Sequence, residues 1–180
     1  KRFILLLVIY GFVVGDLYAK VPTTCHKIRL KDNWEFLRQD VGNIWELVRP
    51  VKKGTEEQPI WTQVTLPHCF NAEDAVDPNV NYYQGPVGIG LVLKTENPYQ
   101  NGRLLLEFEG AGQKTDVYIY MTKVGSHVGG YDSWNVDITD AVQTFLLSKD
   151  AERFGGKNTL SIRCDNTRDA EMIPSDLSDF

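Results

Sequence analysis

An acidic chain invites a search for paired carboxylates, which can share general acid and general base or nucleophile roles across one scissile bond. Glu73-Asp74, and Asp176 with Asp179, are the obvious acidic pairs. Neither stands in a strand-end setting that singles it out, and loop carboxylates are mostly solvated surface. The three histidines, His26, His68 and His127, are too scattered for a metal trio. The three cysteines, Cys25, Cys69 and Cys164, give neither a disulfide framework nor a zinc spacing. Cys69 and Cys164 are expected to act as small buried apolar residues. No Gly-rich phosphate loop and no G-x-S-x-G is present. Catalytic residue, metal and cofactor are therefore each expected to be none. The aromatics are more suggestive. Tyr82, Tyr83, Tyr131 and Trp134 fall at loops or strand ends. A ring flanked by hydrogen-bonding groups suits the apolar face of a sugar, and it equally suits the packing of a sandwich edge.

The elements that must position these residues are mostly short strands. Trp34 to Leu37 is the first, and Trp61 to Leu66 alternates before Pro67. Leu91-Val92-Leu93 precedes a loop signal at Glu96 to Gly102. Leu104, Leu106 and Phe108 share one face of the next strand, and Val117, Ile119 and Met121 share one face of another. Leu160, Ile162 and Cys164 lie opposite Ser161, Arg163 and Asp165. This period of two marks strands half-buried in antiparallel sheets. One helix is predicted, capped by Thr139 or Asp140, with Ala141, Val142, Phe145 and Leu146 on its apolar face. The fold class is all-β, a β-sandwich.

The 180 residues carry a formal net charge of -5, which argues against a nucleic-acid partner. Lys1-Arg2 followed by the apolar run Phe3 to Val14 reads as a signal peptide over residues 1–19, too short for a membrane span. Export to the periplasm or the extracellular space follows as an expectation. One domain is expected over 20–180, and the stretch from Met172 to Phe180 looks cut in mid-domain.

From Trp61 onward the chain resembles the N-terminal sugar-binding domain of glycoside hydrolase family 2, a galactose-binding-like jelly roll. The resemblance runs in order through Trp61 with Val64-Thr65-Leu66-Pro67-His68, then Asn71 and Asp74, then Tyr82-Tyr83-Gln84-Gly85. It continues through Leu106 to Ala111, Asp116 to Tyr120, Val124 to Tyr131 and Val136 to Thr139, and closes on Asp165-Asn166 and Ile173-Pro174. It implies an accessory domain of an exported hydrolase, most like the β-galactosidases, whose catalytic carboxylates lie on a separate barrel. Its partners would be that barrel and a galactoside-type carbohydrate. The resemblance makes Asp179 the best sugar contact, with Tyr82, Tyr83 and Trp134 beside it. His68, Asp74 and His127 are expected to fix loops, His127 within a hairpin bounded by Gly125, Gly129 and Gly130. The alternatives are a free-standing carbohydrate-binding module or lectin-like protein, and a non-binding sandwich from a degenerate gene. The last draws on one departure. Val87 to Leu93 replaces the family's Trp-Tyr-Arg strand, and codons for Trp-Tyr-Arg-Thr read one base later encode Gly-Ile-Gly-Leu, as at Gly88 to Leu91. A compensated frameshift would weaken that strand.

Overall fold

A computed structural model describes residues 25–40, 61–97 and 101–169. The expected signal peptide, the segment 41–60 and residues 170–180, with Asp179, lie outside the described residues.

The strands are β1 (Trp34–Leu37), β2 (Thr62–Val64), β3 (Pro86–Lys94), β4 (Leu105–Phe108), β5 (Lys114–Ile119), β6 (Thr122–Val128), β7 (Trp134–Asp137) and β8 (Lys157–Asp165). Two helices, α1 (Thr139–Leu146) and α2 (Lys149–Arg153), separate β7 from β8. Six strands form one sheet in the order β2-β1-β3-β8-β5-β6, and β4 pairs with β7 in a second. Every pairing is antiparallel. This is the all-β sandwich of jelly-roll type that the sequence implies.

Period-two alternation decides which residues the sandwich encloses. Val117 and Ile119 of β5, Leu160 and Ile162 of β8, Leu91 of β3 and Trp34 of β1 meet Val136 of β7 in one core cluster. Leu104, Leu106 and Phe108 pack against it from the smaller sheet, and Val142 of α1 closes it. The central strand β8 departs from simple alternation, because Ser161 is as buried as its neighbours Leu160 and Ile162. The stretch Val87–Leu93 forms most of β3, which pairs with β8 without a break from Pro86↔Asp165 to Lys94↔Lys157. Gly88 and Gly90 therefore do not interrupt the strand, although between Pro86 and Val92 they leave a gap in the side chains of one face.

Four expectations need correcting. The strand ending at Met121 stops at Ile119, because Tyr120 takes φ 53° and turns the chain into β6. A second helix, α2, follows the expected one, with the Ser148 hydroxyl accepting from the Ala151 amide as its cap. The first helix is capped neither by Thr139 nor by Asp140. Its N-cap is Ile138, and the Asp137 carboxylate accepts the Thr139 amide at 2.9 Å instead. Cys69 is exposed, on the turn that follows Pro67, whereas Cys164 packs against the core cluster as expected and burial pushes its thiol up to about 11.

Asp137 also pairs with Arg103 and receives the Thr139 hydroxyl. Those Thr139 bonds, before the Arg103 charge, pull its carboxyl from the ordinary 3.8 down to about 2. A depressed native value contributes stability above the unfolded value and loses it as pH falls through the native one. Thermal unfolding should therefore show Tm falling between pH 3.8 and about 2, and Asp137→Asn should flatten that part of the profile. An unchanged slope in the variant would mean that Asp137 does not control it.

Candidate functional site

Strand register brings some of the expected site residues, Tyr82, Tyr83 and His127, near one rim of the larger sheet, whereas Asp179 lies outside the described residues. Pro86 opens β3 opposite Asp165 at the end of β8, Asp165 faces Lys114 at the start of β5, and Lys114 faces Val128 at the end of β6. The segments that leave this row are 82–85, 109–113, 129–133 and 166–169. Tyr82, Tyr83, Tyr131 and Asp132 all lie on them, and Trp134 begins the next strand.

Tyr83 is the centre of the first cluster. Its amide donates to Asp74 Oδ2 at 3.0 Å, and its carbonyl accepts from Asn71 Nδ2 at 3.1 Å and from Asn166 Nδ2 at 3.0 Å. Its hydroxyl donates to the Pro86 carbonyl at 2.8 Å. Asn166 Oδ1 accepts the Gly85 amide at 2.8 Å, so one side chain ties both ends of the 83–85 turn to the exit of β8. The Arg38 guanidinium lies 5.0 Å from the Tyr83 ring centroid and pairs with Asp74. Phe70 meets the same ring edge-on at 6.3 Å. The Asp74 side chain is only 1% exposed. The Tyr83 amide and then Arg38 hold its carboxyl below the usual carboxylate value, against the opposing effect of burial. Burial raises the Tyr83 phenol. Tyr83, expected to offer its ring to a sugar, thus has that ring occupied by Arg38 and Phe70.

The second cluster is a stack. Trp134 lies parallel to Phe108 at 4.2 Å and to His127 at 4.7 Å. His127 Nε2 pairs with Asp132 Oδ1 at 3.0 Å. Trp134, also expected at a sugar, is half-buried, with its ring between neighbours from β4 and β6. The expected hairpin around His127 is not formed there. Thr115 opposes His127 inside the β5–β6 pairing, and Gly125 lies on the same strand, two residues before it. Gly125 is required by close approach, since a Cβ there would stand 2.6 Å from Val136 Cγ2. His68 is exposed and meets Phe36 edge-on at 4.7 Å. Tyr82 remains exposed on the rim.

Arg38, Asn71, Asn166 and Asp132 complete these clusters and were not singled out from the sequence as site residues. Asn71 and Asn166 stand inside the motifs quoted above. Arg38 gives no local signal, because its partner Asp74 is 36 residues away. Chemically, the arrangement fixes loops: the carboxylates of Asp74 and Asp132 are bound to partners that hold the chain's own turns. Among the described residues no three His, Cys, Asp or Glu side chains gather as a metal site. Among the same residues no helix is long and apolar enough to cross a membrane.

No family model matches the chain. A curated protein of Formosa agariphila, named "Putative beta-glucuronidase", is 32% identical over 178 residues, 98% of this chain and 19% of the relative. The crystal structure of Parabacteroides merdae β-glucuronidase superposes with a TM-score of 0.81 at 70% identity, covering 86% of this chain and 20% of that one. The chain is a homologue of the N-terminal region of glycoside hydrolase family 2 enzymes. The apo structure of Bacteroides uniformis β-glucuronidase 3 agrees, with a TM-score of 0.81 at 62% identity over 87% of this chain and 20% of that chain. This family 2 region thus spans about a fifth of the length of the relatives it matches. The family resemblance holds and its leaning toward β-galactosidases does not, since the relatives matched at 62% and 70% identity are β-glucuronidases.

Proposed function

We propose that this chain is the N-terminal jelly-roll domain of a β-glucuronidase, and that it serves as scaffold and pocket wall without performing the bond cleavage. The observation that carries the reading is 70% identity to Parabacteroides merdae β-glucuronidase over 86% of the chain at a TM-score of 0.81. The chemistry of the described residues supports it, because the buried carboxylate Asp74 is committed to Arg38 and to the Tyr83 amide. In the parent enzyme the remaining four-fifths of the polypeptide would supply the carboxylate pair of a retaining glycosidase. The substrate would be a β-glucuronide, and Asp179 and Tyr82 would approach it from this domain.

The 180-residue chain alone should not release chromophore from an aryl β-glucuronide or an aryl β-galactoside. Turnover that copurifies with the chain would refute the accessory role. Residues 1–19 are proposed as an export leader, on the strength of Lys1-Arg2 and the apolar run that follows. N-terminal sequencing of the secreted protein should begin at Lys20, and retention of Lys1 would contradict this part.

A further inference from the structure

Lys27, Arg29 and Lys31 alternate with Ile28 and Leu30, the pattern of an extended segment with one charged and one apolar side. The apolar side turns inward at Leu30, which packs against the core cluster. The charged side meets β4 and the residue just past it. Lys27 Nζ stands 2.5 Å from Glu107 Oε2, and Arg29 Nη2 stands 2.9 Å from Glu109 Oε1. Cations and carboxylates share a spacing of two and advance in the same direction, so the segment runs parallel to β4. Its next residues are tied to the other sheet. The Leu30 carbonyl accepts the Trp34 indole N–H at 3.2 Å, and the Lys31 carbonyl accepts the Leu66 amide at 2.9 Å. Trp34 opens β1 and is 2% exposed, and Leu66 follows β2. Residues 27–31 thus reach from the smaller sheet to the larger one.

The two ends are held by different forces. At Leu30 and Lys31 the ties are two hydrogen bonds and a packed side chain, none of which needs a charge. At Lys27 and Arg29 they are ion pairs, whose four side chains keep between 46% and 73% of their surface in solvent. Exposed pairs of this kind each contribute little and are screened by salt, with a Debye length of about 3 Å at 1 M. The segment lies outside every strand, and β4 has its own ladder with β7 from Leu105↔Asp137 to Phe108↔Trp134. Neither sheet therefore depends on the charged end for its backbone hydrogen bonds.

We propose that residues 27–31 form a charge-operated strap between the two sheets. Leu30 and Lys31 are its fixed hinge, and Lys27 and Arg29 are its releasable end. Salt, or loss of the Glu107 and Glu109 charges, frees the end while both sheets stay folded.

The test is backbone 15N relaxation of the full chain. At low salt the amides of 26–29 should show order parameters near those of the strands, about 0.85. In about 1 M NaCl they should fall below about 0.6, while β1, β4 and the amides of Leu30 and Lys31 keep their values. Glu107→Lys with Glu109→Lys should produce the same loss at low salt, and so should Lys27→Glu with Arg29→Glu, which leaves β4 untouched. All four changes together restore opposite charges and should restore the order. Glu96→Lys breaks a separate exposed pair with Lys94 and should leave 26–29 unchanged. Order at 26–29 that is already low in the native chain at low salt, or that survives both salt and charge reversal, would overturn the strap. Failure of the fourfold variant to recover it, or loss of order in β4 at the salt that frees 26–29, would overturn it equally. Hydrolysis enters none of these readings, so the strap and the β-glucuronidase reading stand or fall separately.

Discussion

Trp134→Ala is expected to destabilise the domain by about 2–3 kcal/mol, below the range for emptying a fully buried aromatic site because the indole is half-buried. The indole links three strands. It begins β7, stacks on Phe108 of β4 at 4.2 Å and on His127 of β6 at 4.7 Å. Truncation removes both ring contacts and opens a gap beside the core residue Val136, which is 8% exposed. The loss also reaches the 129–133 turn, because His127 no longer has a surface that orients it toward Asp132. In a domain of this size the change should lower Tm by roughly 4–12 °C. Trp134→Phe keeps a ring in the stack and should lose clearly less. Urea denaturation with an unchanged m-value checks the interpretation. A fall under about 1 kcal/mol for Trp134→Ala would show that the stack is surface ornament and not a joint between sheets.

Gly125→Ala should also be destabilising, by about 1–3 kcal/mol, through overpacking and not through backbone strain. The added methyl would stand 2.6 Å from Val136 Cγ2, closer than carbon atoms can approach, so β6 and β7 must separate or Val136 must leave its place. Gly90→Ala is the control. Its Cβ would meet nothing nearer than the Leu160 carbonyl oxygen at 3.8 Å, so reduced freedom of the unfolded chain should leave it neutral or up to about 1 kcal/mol more stable. Combining Gly125→Ala with Val136→Ala should recover part of the loss, since the two side chains compete for one space. Equal losses at Gly125 and Gly90, or strict additivity of Gly125→Ala with Val136→Ala, would sink the close-approach account.

What could be read in advance follows from how local each signal is. Alternation at Val117 and Ile119, and at Leu160 and Ile162, is written in adjacent residues, and both strands form there. The apolar spacing of Val142 and Phe145 likewise marks α1, where both are buried. Helix α2 has five residues and a single buried one, Ala151, so it shows no apolar period; Ser148 was the available signal as its cap. Tyr120 looked like a strand residue because nothing beside it announces a positive φ. The glycines at 125, 129 and 130 were visible as a cluster, but their spacing cannot distinguish a turn from a close crossing of strands. The site was harder. Its ion pairs and hydrogen bonds join residues far apart in sequence, such as Arg38 with Asp74 and Gly85 with Asn166. Tyr83 and Trp134 could be chosen as aromatics at loop edges, whereas the neighbours that occupy their rings come only from the packing of other strands.

The central claim is that this chain is the accessory N-terminal domain of a β-glucuronidase, and a chimera tests it most directly. The segment of Parabacteroides merdae β-glucuronidase that matches this chain, about 20% of that enzyme, is replaced by the chain itself. The account predicts a folded chimera that hydrolyses an aryl β-glucuronide within about tenfold of the parent's kcat/KM, a barrier change near 1.4 kcal/mol, and prefers it to the β-galactoside. A folded chimera without β-glucuronidase activity, or one that prefers the galactoside, would contradict it.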